Sequence, residues 1–217
     1  MESEAMAIID LSHFLEADMP LYPGTELPVF EERASIETDG YREKKIALCS
    51  HTGTHMDAPA HIVAGAKTLD QLPVETFFGD AFLLNCTRAG KAGVDLQELL
   101  PHADAIREHA FIVLHTGWSR YWGNDHYFSG YPVLTPDAAR WLAHMDLKGV
   151  GMDTISADPA DAVDLPVHNI LLGAGVVLVE NLTNLEAVPT PSFLFAGFPL
   201  KIRDADGSPV RAVAIIS

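Results

Sequence analysis

Residues 50–62 read SHTGTHMDAPAHI and gather His51, His55, Asp57 and His61 into eleven positions. Imidazole and carboxylate together suit Zn²⁺, Mn²⁺ or Fe²⁺, and an imidazole near its ordinary pKa also moves protons at neutral pH. The four residues are spaced by four, two and four. In extended chain alternate side chains share a side, so a strand end running into a loop aims all four at one point. A helix would align only His51 with His55, and Gly53 and Pro59 oppose one. The cluster is therefore expected on a strand end and the loop after it, with a further ligand supplied from elsewhere. Thr52 follows His51, so this is not the H-E-x-x-H helix of zinc proteases. The plainer alternative, histidines that serve no site, fits poorly with so dense a group.

The elements that must hold the cluster can be read from pattern. AIIDLS near the start is a strand, and DMPLYPGTELP is an extended, turning loop. KKIALCS is a strand that delivers the chain into the histidines. VETFFGD reads as a short helix ending at Gly79, followed by the buried strand AFLLNCT. VDLQELLPHADAIREHA offers one or two short helices before the strand FIVLH. In TPDAARWLAHMDLKG, Thr135 suits an N-cap and Pro136 the first helical position, with Ala138, Trp141, Leu142 and Met145 at helical spacing. VGMDT, GVVLVEN and VRAVAII complete the strands. The alternation argues for one α/β or mixed α+β domain spanning 1–217, with helices packed on a mixed sheet.

Composition removes several functions. Thirty acidic against fourteen basic residues give a formal charge of -16, which repels nucleic acid and anionic membranes. The N-terminus lacks a secretory pattern, and ILLGAGVVLV is about half of the ~20 residues a bilayer crossing takes. A soluble, cytoplasmic protein is expected. Cys49 and Cys86 are too few for a disulfide scaffold and read as buried, reduced thiols. GWSRY has Tyr121 where a nucleophile elbow needs glycine, which makes Ser119 an ordinary hydroxyl. GAGVVL has Leu178 at the last glycine position of a dinucleotide fingerprint. The aromatic run GWSRYWGNDHYF reads first as core or a dimer contact and second as a pocket wall. His115, Asp153 and Thr154 read as structural.

The run HTGTHMDAPAH resembles the H-x-G-T-H-x-D-x-P-x-H signature of the metal-dependent cyclase-like hydrolases, a family that includes bacterial kynurenine formamidases and isatin hydrolase. Every fixed position is matched. Similarity extends through IIDLSHFLEADMPLYPG, LHTGWSRYW, GVGMDTISAD, PVHNILLGAGVVLVENLTNLE and PLKIRDADGSPVRAVAI, which is essentially the full chain. The resemblance implies a swivelling β/β/α fold, usually in a homodimer or higher oligomer with the active site near the subunit interface. It implies that His51, His55 and Asp57 hold one metal, and that Asp57 bridges to a second held by His168 and Glu180. His61 becomes the proton-shuttling residue. In place of the tryptophan that kynurenine formamidases carry before PG, this chain has Tyr22, which still stacks on a ring.

The implied activity is hydrolysis of an amide C–N bond, arylformamidase-like, with N-formylkynurenine of tryptophan catabolism as the leading substrate. One or two divalent ions per chain, Zn²⁺ before Mn²⁺, would lower the pKa of water toward ~7. Two alternatives stand beside it: hydrolysis of a cyclic amide or lactone, and a noncatalytic protein whose metal holds the fold. Structural zinc sites are closed by four ligands, often cysteine; this cluster has none.

Overall fold

The computed structural model describes residues 6–89 and 93–216. Eight strands form one mixed sheet: β1 (Ala7–Asp10), β4 (His55–Asp57), β5 (Phe78–Asn85), β6 (Phe111–His115), β7 (Gly149–Met152), β8 (Val177–Glu180), β9 (Ser192–Pro199) and β10 (Gly207–Ile216). Their order is β1-β10-β4-β8-β7-β6-β5-β9, and β9 also pairs with β10, so the sheet closes on itself. Closure falls to β10 because it is ten residues long. Gly207–Pro209 pair with β4, Val213–Ile216 with β1, and Val210–Ile215 with β9.

Strands β5, β6, β7 and β8 are parallel, and β6, β7 and β8 are buried on both faces, which explains their apolar runs. Phe111 and Val113 of β6 point into the closed sheet with Val177, Val179 and Phe195, whereas Ile112, Leu114 and Leu178 point outward. Four helices cover that outer face: α2 (Leu96–Leu99), α3 (Ala103–Glu108), α4 (Pro136–Leu142) and α5 (Pro166–Gly173). Truncating a fully buried leucine such as Leu178 to alanine in such a layer costs about 2–5 kcal/mol. The Thr135 hydroxyl accepts from Ala138 N–H at the start of α4, with Pro136 at the first position, as the sequence indicates; such a cap contributes about 1 kcal/mol.

Several expectations are corrected. VETFFGD is a single 3-10 turn at Val74–Phe77, and Gly79 lies inside β5, because Phe78–Phe82 are claimed by pairing with β9. The strand in KKIALCS is β3 (Glu43–Ala47). It pairs with β2 (Val29–Ala34), and between them lies the short helix α1 (Ile36–Asp39). Neither strand joins the main sheet, so β3 does not run straight into the histidines. The sequence pattern marks neither helix α5 nor strands β2 and β9. α5, PVHNILLG, is only eight residues long, and His168 and Asn169 interrupt its apolar residues, so no helical stripe marks it. Cys86 is buried, and burial pushes its thiol up to about 12, but Cys49 is half-buried in the loop after β3. No described helix is long and apolar enough to cross a membrane.

Candidate metal centre

Short local elements bring the motif together. His51 lies in the loop before β4, His55 and Asp57 point the same way from β4, and His61 ends a 3-10 turn at Pro59–His61. Gly53 supports the approach with φ +64°, and a Cβ there would meet Leu15 Cδ2 at 2.5 Å. β4 is paired on both edges, His55 with Glu180 of β8 and Asp57 with Gly207 of β10. Pairing thus sets Glu180 beside His55, and α5 adds His168. All six residues meet in one cavity of about 290 Å³, which Tyr22 also lines. Five of them form two triads that share Asp57, namely His51, Asp57 and His61, and His55, Asp57 and Glu180, each with donor atoms within 4.8 Å of one another, while His168 stands in neither.

Asp57 stands at the junction. Its Oδ1 lies 2.7 Å from His51 Nδ1 and 3.3 Å from His55 Nε2, while its Oδ2 faces His168 Nε2 at 3.8 Å. His168 Nε2 is 3.4 Å from Glu180 Oε1, and His55 Nε2 is 3.6 Å from Glu180 Oε2. Asp57 Oδ2 is buried without a hydrogen-bond partner. A buried carboxylate oxygen left unpaired is costly, and a divalent cation satisfies it; two carboxylates and four imidazoles are the donors such ions take. The residues fit the group that the motif calls for.

Further residues orient the imidazoles, and the sequence reading missed them. His55 Nδ1–H donates to the Gly53 carbonyl at 2.9 Å, and Asn181 Nδ2 donates to the same oxygen at 2.9 Å. His168 Nδ1–H donates to Asp158 Oδ2 at 2.7 Å, and Asp158 also accepts the Val167 and His168 backbone N–H groups. Each ring therefore turns Nε2 into the site. Asp206 Oδ2 accepts from His51 Nε2 at 3.0 Å and lies 3.6 Å from His61 Nδ1. A Cβ on Gly207 would meet His51 Cε1 at 2.5 Å, so the ring lies flat on a residue that has no side chain. The signal available in sequence was the compact ADGSP at 205–209, whose acid and glycine gain meaning only from β10 pairing with β4.

Charge follows this geometry. Burial lowers the His51 pKa, but hydrogen bonds to Asp57 and Asp206 outweigh it and push it up to about 9. His168 is likewise opposed by burial and pushed up to about 10 by Asp158 and Glu180. Burial opposes ionisation of Asp57 too, yet the facing imidazoles hold it well below the usual carboxylate range. His61 differs: burial, above all, lowers its pKa.

Other expectations find structural places. Asp153 accepts from Thr116 N–H, Thr116 Oγ1 and Trp118 N–H and fastens the turn after β6. Trp118, Tyr127, Tyr131 and Ile155 form a small aromatic core against which Tyr22 packs. The aromatic run is thus core behind the cavity.

The site can be compared with known proteins. Residues 9–159, more than two thirds of the chain, match the Cyclase family. The chain belongs to the cyclase family. Among relatives of this cyclase-family chain, the kynurenine formamidase of Salinibacter ruber is 31% identical over 210 residues, covering 96% of this chain and 97% of its own. Isatin hydrolase A of Labrenzia aggregata superposes with a TM-score of 0.86 at 26% identity, covering 97% of this chain and 94% of that one. A structure described as a potential metal-dependent hydrolase with cyclase activity superposes at 0.79 with 27% identity, covering 97% and 98%. The mixed sheet with packed helices expected of this cyclase-family chain is the fold these neighbours share.

Proposed function

We propose that this cyclase-family chain is an arylformamidase-like enzyme. It is a metal-dependent hydrolase of amide C–N bonds, the class to which its relatives named kynurenine formamidase and isatin hydrolase belong. The observation that carries the reading is Asp57, buried and central, with one oxygen toward His51 and His55 and an unpartnered oxygen toward His168.

His51, His55, Asp57, His168 and Glu180 are the groups that would hold one or two divalent ions, with Zn²⁺ the first to test and Mn²⁺ the second. Bound there, such an ion polarises a carbonyl and makes water acidic enough to attack at neutral pH. The chain's own part is positioning and proton transfer. Gly53, Asp158 and Asp206 fix the imidazoles, so ligand geometry is set before substrate arrives. His61 is kept neutral by burial and is free of the hydrogen bonds that protonate His51. It takes a proton from the attacking water and returns it to the leaving nitrogen. Tyr22 and the apolar wall receive the aromatic ring.

Hydrolysis of a cyclic amide uses the same groups, and the cavity of about 290 Å³, small among ligand pockets of ~300–1,000 Å³, favours keeping it as the second reading. A homodimer, a cytoplasmic setting and a single domain over 1–217 belong to the same proposal. The test is metal content per chain on protein purified without chelator, with turnover of N-formylkynurenine and isatin on the same sample. About two metals with formamide turnover supports the reading. Metal with isatin turnover alone moves the chain to cyclic amides, and a folded chain that takes up no metal overturns the site. Unfolding on chelation would mark a structural ion instead.

A further inference from the structure

Away from the histidines and carboxylates of the metal centre, the cavity is largely apolar. Pro20, Leu21, Tyr22, Ile155 and Leu165 wall it, and among the described residues no lysine or arginine lines it. Five basic side chains are engaged elsewhere: Arg33 pairs with Glu31, Arg107 with Asp104, Arg140 with Asp137 and Arg211 with Asp10, while Lys148 donates to the Glu75 and Phe78 carbonyls. The loop after β7 supplies acids instead. Tyr22 donates its hydroxyl to the Ala160 carbonyl at 3.2 Å, which brings Asp161 beside the tyrosine, and Asp164 directly precedes Leu165; both aspartates are exposed. Burial raises the Tyr22 pKa, and Glu180, Asp158 and Asp161 raise it further, as expected where negative potential gathers.

The apolar wall is held at a conformational cost. Leu165 has φ 42° and ψ 58°, the left-handed region that a bulky residue rarely adopts. Asn169 holds it there by donating its side-chain amide to the Asp164 and Leu165 carbonyls at 2.8 and 3.0 Å. A leucine kept against strain at a cavity wall is an apolar contact for whatever the cavity takes.

Resting on the hydrolase reading above, we propose that this site selects aryl amides whose remainder is neutral overall or cationic and disfavours those whose remainder carries a net negative charge. The amino-acid arm of N-formylkynurenine carries an ammonium beside its carboxylate and is neutral overall, whereas a lone carboxylate would face two exposed aspartates with no lysine or arginine lining the cavity among the described residues. A bound ion would bring positive charge to the histidine cluster, where the amide itself must sit. A carboxylate that took that place would displace the amide, so simple aryl carboxylates should act as inhibitors.

The test compares formanilide with 4-formamidobenzoate on metal-loaded protein, by kcat/KM. Calorimetric Kd for acetanilide and 4-acetamidobenzoate on the same preparation supplies a readout independent of turnover. Formanilide should lead by about tenfold, the effect of one like charge ~10 Å away at an effective dielectric constant of ~20. Asp161→Lys should narrow that ratio, and Asp161→Asn should narrow it less. Equal values, or a lead for the carboxylate compound, in both kcat/KM and Kd would overturn the proposal, as would failure of both acetyl compounds to bind. Tighter binding of acetanilide with no turnover of either formamide would leave the selectivity standing and sink the hydrolase reading.

Discussion

The carboxylate of Asp206 holds Nε2 of His51 at 3.0 Å, and the same ring presents Nδ1 to Asp57 at 2.7 Å. The imidazole is thereby fixed between the strand that carries the site and the strand that closes the sheet. Asp206→Asn should weaken divalent-cation affinity by about 10–100-fold, as loss of an orienting partner does. Gly207→Ala should do the same for a different reason, since its Cβ would sit 2.5 Å from His51 Cε1. Calorimetric titration of metal-free protein measures both, and wild-type affinity in both variants would show that the ring needs no clamp.

Asp57 and His61 separate binding from chemistry. Asp57→Ala removes the residue shared by both triads and should empty the site of metal. His61→Ala should keep metal content close to wild type while lowering turnover by ~10² to 10⁴. Metal analysis beside kcat decides: a fully loaded Asp57→Ala, or a metal-free His61→Ala, would reverse the assignments.

Protons occupy the imidazoles when no cation does. His51 and His168 titrate at about 9 and about 10 in the metal-free fold, above their ordinary 6.5. Raised folded values mean that their charged pairs stabilise the metal-free fold fully below pH ~6.5, with that stability lost as pH climbs through 9 to 10. Denaturant midpoints of metal-free protein should therefore fall over that range. Loading a cation at pH 7 must expel these protons. Binding heats that did not vary among buffers of different ionisation enthalpy would show that they are not ligands.

His13 predicts the opposite edge of the pH range. Its ring stacks on Trp122 at 3.8 Å, its Nε2 is buried without a partner, and burial drops its pKa to about 4. The unfolded chain takes up a proton that the folded chain refuses, so stability falls as pH drops from ~6.5 to ~4. His13→Phe keeps the stack and should recover on the order of 2 kcal/mol at pH 4 relative to pH 7. Parallel acid sensitivity in the variant would remove His13 from the account.

The motif was legible because its even spacing survives into a structure in which only three of its residues form a strand; turn geometry does the rest. His168 and Glu180 could not be found from composition. Their twelve-residue separation becomes proximity only through α5 and the parallel return of β8, and only the family resemblance pointed to them. Asp206 and Asp158 carried no local signal, since each acts on a partner 155 or 10 residues away. The interior strands were readable from unbroken apolar runs. β9 was not, because SFLFAGFP mixes small and aromatic residues between two prolines.

The ten-residue β10 serves the seam of the sheet at one end and the floor of the metal centre at the other. One strand thus supplies both closure and the backing of His51. Without it, β4 lacks one neighbour and the His51 ring loses the surface it lies on. Unpairing of β10 should therefore open the barrel seam and dismantle the ligand set in a single event.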